Sequence, residues 1–297
     1  MPLRRITFSG RLLLNSSGEN IEDTEAVWRT VLKGFAAVAL DIVIALGIAV
    51  AAFLIFMGVM VAPYERGFYC YQIAEFNLPF VPNTVSTTHL LICTLASPFF
   101  VILLAEAIFF RAAKGHNRLR KYFSSATYTY LEYLATFTLA TFLMEAFKCA
   151  FARLRPHYFA VCKPDWSKID CSNENNYIED AHCLGTDAHR IRVGRQSFPS
   201  GHTAAAVHLV TFLYFYLTGM VNASNIPLLR SLRLVTLLLA VLWTLTVMVT
   251  RVTDNWHHPA DVLGGVLLGF SCVYLPKLRQ GPISVYQRRL LENPHSL

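Results

Sequence analysis

The sequence predicts an all-α polytopic membrane protein of six transmembrane helices, with cytosolic N- and C-termini and its chemistry at the extracellular or luminal face. Three observations carry that reading. Of the 297 residues, 54% are hydrophobic and only 15% charged, well outside the balance of a soluble domain. Apolar runs of about 18 residues or more occur six times, near 36–62, 89–110, 127–147, 202–219, 232–250 and 259–276, each able to cross a bilayer. Lysine and arginine then fall unevenly. Five lie in 1–34, five in 111–126, two at Arg230 and Arg233 and four in 277–297, sixteen of the 26, whereas the first and third outer loops hold only Arg66 and Arg251.

Residues 1–34 mix basic, acidic and turn residues without an apolar face and read as a cytosolic tail; 35–276 form one six-span domain, and 277–297 a short basic tail. The first apolar run begins too late and runs too long for a cleavable signal, so it reads as a retained anchor. Asp41 and Glu106 fall inside spans, where they are expected near helix ends or paired within the bundle. The loop from Pro63 to Thr88 is irregular and is assigned no chemistry. Arg111 to Lys121 form a basic connector suited to anionic headgroups. The acceptor patterns at Asn15 and Asn222 lie on the cytosolic side and are expected to stay unmodified. Gly264, Gly265 and Gly269 in the last span would let helices pack closely.

The second outer loop, about 148–201, breaks the charge rule with eight basic residues. A loop that grips an anion has its own reason to be basic, so the net charge of +7 reflects topology plus site and calls for no nucleic acid. Cys70, Cys162, Cys171 and Cys183 face outward, where disulfides persist. Three complete pairings are open, and Cys171–Cys183 is the expected bridge.

Three polar clusters fall on this outer face. At the end of span three, Lys148 and Arg155 are seven apart and would share one face of a continuing helix, with Arg153 pointing elsewhere, before Pro156 ends it. At the start of span four, Ser200 and Gly201 open a helix whose N–H groups can cradle an anion, with His202 on its first turn. Between spans five and six, Arg251 to Asp261 supply an arginine, two histidines and a carboxylate next to Pro259, a helix-starting residue. Taken alone, each has a structural explanation: a basic flank, a helix cap, an interfacial loop. Three anion-handling clusters on one membrane face are much harder to explain that way. Together they supply the parts of a phosphomonoesterase: cations for the phosphoryl oxygens, a histidine to attack phosphorus, another to protonate the leaving alkoxide, and an acid to orient the attacker.

The pattern K-x6-R-P, P-S-G-H and R-x5-H-x3-D, read here as Lys148, Arg155 and Pro156, Pro199 to His202, and Arg251, His257 and Asp261, resembles the three-part signature of the type 2 phosphatidic acid phosphatase family. The run R-V-T-D-N-W-H-H-P-A-D-V-L-G-G is similar to that of its six-span lipid phosphate phosphatase branch. Two departures are visible. Thr250 stands where serine is usual, and the second outer loop lacks the N-x-S/T acceptor common in the branch. The resemblance implies His257 as the nucleophile forming a phosphohistidine, His202 as acid, Asp261 as partner of His257, and Lys148, Arg155, Ser200, Gly201 and Arg251 as phosphate ligands. It further implies no metal or other cofactor, a phosphorylated lipid as substrate (phosphatidate, lysophosphatidate, sphingosine 1-phosphate or ceramide 1-phosphate), assembly as a homo-oligomer, and residence in the plasma membrane or an internal one.

Competing readings fit less well. A silent lipid-binding relative would tend to lose the lysine or the histidines, and a transporter would want polar residues at mid-membrane. A serine hydrolase would show G-x-S-x-G around Ser200. A phosphatase for a polyprenyl diphosphate or sugar phosphate is the enzymatic alternative, and only the branch resemblance weighs against it.

Overall fold

The computed structural model describes residues 64–112, 118–224 and 226–280, together with Val43, Leu46, Gly47, Val50, Ala51 and Leu54. Most of the expected first span, Asp41, the whole N-terminal tail with Asn15 and most of the C-terminal tail lie outside the described residues. The chain divides into two units between Gly47 and Ile48, and the fold described below is that of the second.

Its elements run in order: β1 (Phe68–Tyr69), α1 (Ile73–Phe76), α2 (Thr87–Ala112), α3 (Arg118–Phe151), α4 (Tyr158–Cys162), β2 (Tyr177–Ile178), α5 (Ala188–Gly194), α6 (Gly201–Ser224), α7 (Pro227–Thr253) and α8 (Pro259–Gln280). Five of these helices, α2, α3, α6, α7 and α8, are long and apolar enough to cross a membrane, and the protein is an integral membrane protein. They coincide with the last five expected spans. Several run past their apolar stretch, because polar residues such as Glu145 and Lys148 find partners inside the bundle and need not end a helix.

Helix α6 is the axis. Within its most apolar window 72% of residues are buried, against 17–33% in the other four. Ile102 of α2, Tyr133 of α3, Phe212, Leu213 and Leu217 of α6, and Val273 of α8 form the main core. Leu234, Leu238 and Val249 of α7 stay exposed, as befits a helix with lipid on one side. Close packing of α8 on α6 depends on missing side chains. A Cβ on Gly265 would fall 2.5 Å from the Ser200 carbonyl oxygen, and one on Gly269 2.3 Å from that of Ala204.

Glu106 is buried and accepts a hydrogen bond from Tyr216, so it is paired within the bundle. Helices α2, α6 and α8 begin, and α3 and α7 end, at one common end of the bundle. There the loop 64–86 and the segment 152–200 pack over the helix ends. The first of these was expected to be irregular, yet it carries α1 and β1, and β1 pairs antiparallel with β2 of the second, which also carries α4 and α5. A second, smaller core of Phe68, Phe76, Leu154, Tyr158 and Phe159 holds this cap together.

The expected Cys171–Cys183 bridge is corrected. The disulfides are Cys70–Cys171 and Cys162–Cys183. Pro164 and Cys183 pair as an isolated antiparallel bridge, which brings Cys183 against the end of α4. The hydrogen bonds from the Cys70 and Tyr71 amides to Asn176 and Glu174 draw Cys70 alongside the segment that carries Cys171. One bridge therefore lies within the second loop, and the other ties it to the first.

Candidate active site

Helix α3 stops at Phe151, and Ala152 turns the chain through a left-handed conformation, φ 43°. Lys148 and Arg155 are thus not on one continuous helix, as their spacing had implied; the turn still brings Arg155 back over the bundle. The Arg155 amide donates to the Gly194 carbonyl at 2.8 Å and the Ser197 amide to the Arg153 carbonyl at 2.9 Å. These two bonds lash the first cluster to the second. The Ser200 amide donates to the Asp261 carbonyl at 3.0 Å, which joins the second to the third.

The eight expected site residues converge. Lys148, Arg155, Gly201, His202, Arg251 and His257 line one cavity of about 560 Å³, and Ser200 and Asp261 are fully buried next to them in the chain without lining it. A Cβ on Gly201 would sit 3.6 Å from Lys148 Nζ, so the ammonium faces the start of α6, where free N–H groups favour an anion. Arg155 Nη2 donates to the Gln196 carbonyl, its guanidinium stacks 4.8 Å from the Trp256 ring centroid, and its Nε is buried without a partner. Burial lowers its pKa to about 10, with Asp261 pulling the other way, and it stays charged. Arg251 donates to Asn83 Oδ1, the Val85 carbonyl and Asp254 Oδ2, and its Nε too is buried without a partner. Buried guanidinium N–H groups without partners at a common cavity point to an anion as the missing acceptor.

His257 Nδ1 lies 2.7 Å from the Ser197 carbonyl oxygen. A carbonyl can only accept, so Nδ1 carries the proton and Nε2 keeps its lone pair. Burial first, then the Arg155 and Lys148 charges, push the His257 pKa well below the usual histidine value, which keeps the ring neutral and nucleophilic. Asp261 does not hold this tautomer directly; its Oδ2 is 3.9 Å from His257 Nδ1. Instead it accepts from Ser197 Oγ at 2.6 Å, the His258 amide at 2.8 Å, His258 Nδ1 at 3.1 Å and Arg153 Nη1 at 2.8 Å. The carboxylate therefore fixes the residue whose carbonyl fixes His257. His202 Nε2 donates to the Val85 carbonyl at 3.1 Å, which holds its ring at the cavity wall.

Several members of the site went unread in the sequence. Asn83 and Val85 come from the loop that was assigned no chemistry, and two of the three contacts they make with the site are through the Val85 backbone carbonyl, which leaves no trace in side-chain pattern. Arg153 was expected to point elsewhere, yet it pairs with Asp261 and with Glu75. Ser197 sits two residues before Pro199, close enough to the second cluster to have been included. His258 points to Asp261 and Glu75 and is not among the residues lining the cavity. Among the described residues no group of three or more His, Cys, Asp or Glu is placed to hold a metal ion.

Residues 129–280 match the model of the PAP2 superfamily, so all three clusters fall within the matched region. The chain belongs to that family. It is 30% identical to phospholipid phosphatase 1 of Rattus norvegicus over 212 residues, covering 70% of this chain and 72% of that protein. Phospholipid phosphatase 2 of the same species is 32% identical over 212 residues, 70% and 73% of the two chains. Phospholipid phosphatase 1 of Mus musculus is 28% identical over 243 residues, 79% and 83%. No solved structure matches significantly. These relationships put the chain in the lipid phosphate phosphatase branch of the PAP2 superfamily and make it a phosphoric monoester hydrolase.

Proposed function

We propose that this PAP2 enzyme hydrolyses phosphate monoesters of membrane lipids, phosphatidate, lysophosphatidate, sphingosine 1-phosphate and ceramide 1-phosphate, through a phosphohistidine on His257 and without a metal. One observation carries the reading. The cavity that holds His257, Lys148, Arg155 and Arg251 continues along α2 and α3 past Leu90, Leu91, Phe137, Ala140 and Met144, so a charged head and an apolar tail can be taken by one continuous space.

In the first step His257 Nε2 attacks phosphorus and the ester P–O bond breaks, while His202, entering the step as the imidazolium with Nε2–H held by the Val85 carbonyl, protonates the departing alkoxide from Nδ1. Lys148, Arg155, Arg251, Ser200 and the N–H groups opening α6 take the charge on the equatorial oxygens. In the second step His202 accepts a proton from water, the resulting hydroxide attacks phosphorus, the P–N bond breaks, and inorganic phosphate and neutral His257 are released. Asp261 offsets the positive charge that grows on His257 and, through Ser197, keeps Nε2 aimed at the cavity. Uncatalysed monoester hydrolysis is so slow that this stabilisation must reach roughly 20 kcal/mol. Cationic side chains suffice for neutralisation where three of them meet one phosphate. The uneven lysine and arginine distribution supports both termini cytosolic and the site on the extracellular or luminal side of a six-span chain.

The test is phosphate release from phosphatidate and sphingosine 1-phosphate in detergent micelles containing EDTA. Release is expected to persist with EDTA present and to fall at least a thousandfold in Lys148→Ala or Arg251→Ala. Loss of release on adding EDTA, restored by a divalent cation, would contradict the metal-free route.

A further inference from the structure

Glu145 is a carboxylate the two-step scheme leaves unused. It lies on α3 one turn inward from Lys148, is only 4% exposed, and lines the same cavity as the phosphate-binding cations. Its Oε1 accepts from Lys148 Nζ at 3.1 Å, and its Oε2 is buried without a hydrogen-bond partner. A buried carboxylate oxygen without a donor is costly, and a cavity wall is where a ligand can supply the donor. Three residues of helix put Glu145 about 4.5 Å deeper than Lys148 along the direction in which a lipid tail would run. An atom on the second carbon of the alcohol, four single bonds beyond phosphorus, has a reach of the same order. Below Glu145 the lining turns apolar at Met144, Ala140 and Phe137.

Resting on the proposed lipid phosphatase reading, we propose that Glu145 is a specificity-determining residue. Its Oε2 accepts a hydrogen bond from an ammonium or hydroxyl group on the carbon next to the phosphate-bearing one. Sphingoid-type and monoacyl phosphates carry such a donor. A diacyl phosphate presents an ester oxygen there, an acceptor facing an acceptor, and is disfavoured for that reason. A charge-assisted bond of this kind is worth about ten- to a hundredfold in kcat/KM.

The test pairs two micellar substrates of equal chain length, 2-amino-octadecyl phosphate and octadecyl phosphate, which differ only in the donor. Wild-type enzyme is expected to favour the amino compound at least tenfold in kcat/KM. Glu145→Gln should bring that ratio close to one while octadecyl phosphate is still turned over. A wild-type ratio near one overturns the proposal without any variant. An equal loss on both substrates in Glu145→Gln, with the wild-type ratio reproduced among the residual rates, also overturns it and reduces Glu145 to a residue that positions Lys148. Release from neither substrate by wild type would instead overturn the lipid phosphatase reading, and this proposal with it.

Discussion

Asp261→Asn removes one charge from the site and little volume, so it isolates what that carboxylate does. Oδ2 accepts from Ser197 Oγ, the His258 amide and His258 Nδ1, while Oδ1 accepts from Arg153. An asparagine has one acceptor, so either its NH2 faces the Arg153 guanidinium or it faces Ser197 and the His258 amide, and one donor is left facing another. The charge itself lies 3.9 Å from His257 Nδ1, and at an effective dielectric of about 20 this attracts a developing imidazolium by about 4 kcal/mol. That corresponds to roughly a thousandfold in the phosphorylation rate. The assay is single-turnover phosphate release by detergent-solubilised Asp261→Asn, with elution volume and melting temperature checked against wild type. A folded variant within about threefold of the wild-type rate would refute the electrostatic role, because the distance alone requires more.

Three further outcomes follow from local geometry. Gly265→Ala drives a methyl against the Ser200 carbonyl and the Thr203 Cβ, 2.5 and 2.9 Å away, and should cost about 1–3 kcal/mol and lower activity by moving Ser200; a melting curve in detergent reads the first and phosphate release the second. His157 is 2% exposed, donates Nδ1–H to the Asn255 carbonyl, and has its pKa lowered to about 4, chiefly by burial. Its folded pKa lies below the unfolded one, so its contribution is fully present above about pH 6.5 and is lost as pH falls toward 4, about 3 kcal/mol in all; His157→Gln should flatten the pH dependence of the melting temperature across that window. Non-reducing peptide mapping should recover Cys70–Cys171 and Cys162–Cys183, and Cys162→Ser should destabilise the cap by about 3 kcal/mol on loop-closure grounds, measured by the onset of proteolysis within 157–198.

The last five spans and the three clusters were legible in the sequence because their signals are local. An apolar run of sufficient length is a span whatever it packs against, and P-S-G-H or R-x5-H-x3-D carries its chemistry within a few residues. What escaped were the connections between distant segments. The tautomer of His257 depends on the carbonyl of Ser197, sixty residues away, and any residue type could have offered that carbonyl. The same holds for Val85, whose carbonyl takes hydrogen bonds from both His202 and Arg251. Arg153 was set aside by assuming that the helix carrying Lys148 continued to Arg155, whereas Ala152 breaks it and turns Arg153 toward Asp261. The cysteine pairing failed for a related reason. The sequence left three complete pairings open, and the β1–β2 pairing, which two short strands do not announce, took Cys171 to Cys70.

The central claim is a covalent phosphohistidine on His257, and trapping it is the most direct test. Rapid quenching of the wild-type enzyme with a ³²P-labelled lipid monophosphate in the presence of EDTA should leave label on the protein that survives alkali and is lost in acid. His257→Ala should show none, and digestion of the wild-type adduct should place the label on the peptide containing His257. Alkali-labile label on the peptide containing Ser200, or full-rate turnover with no labelled protein at any quench time, would contradict the account.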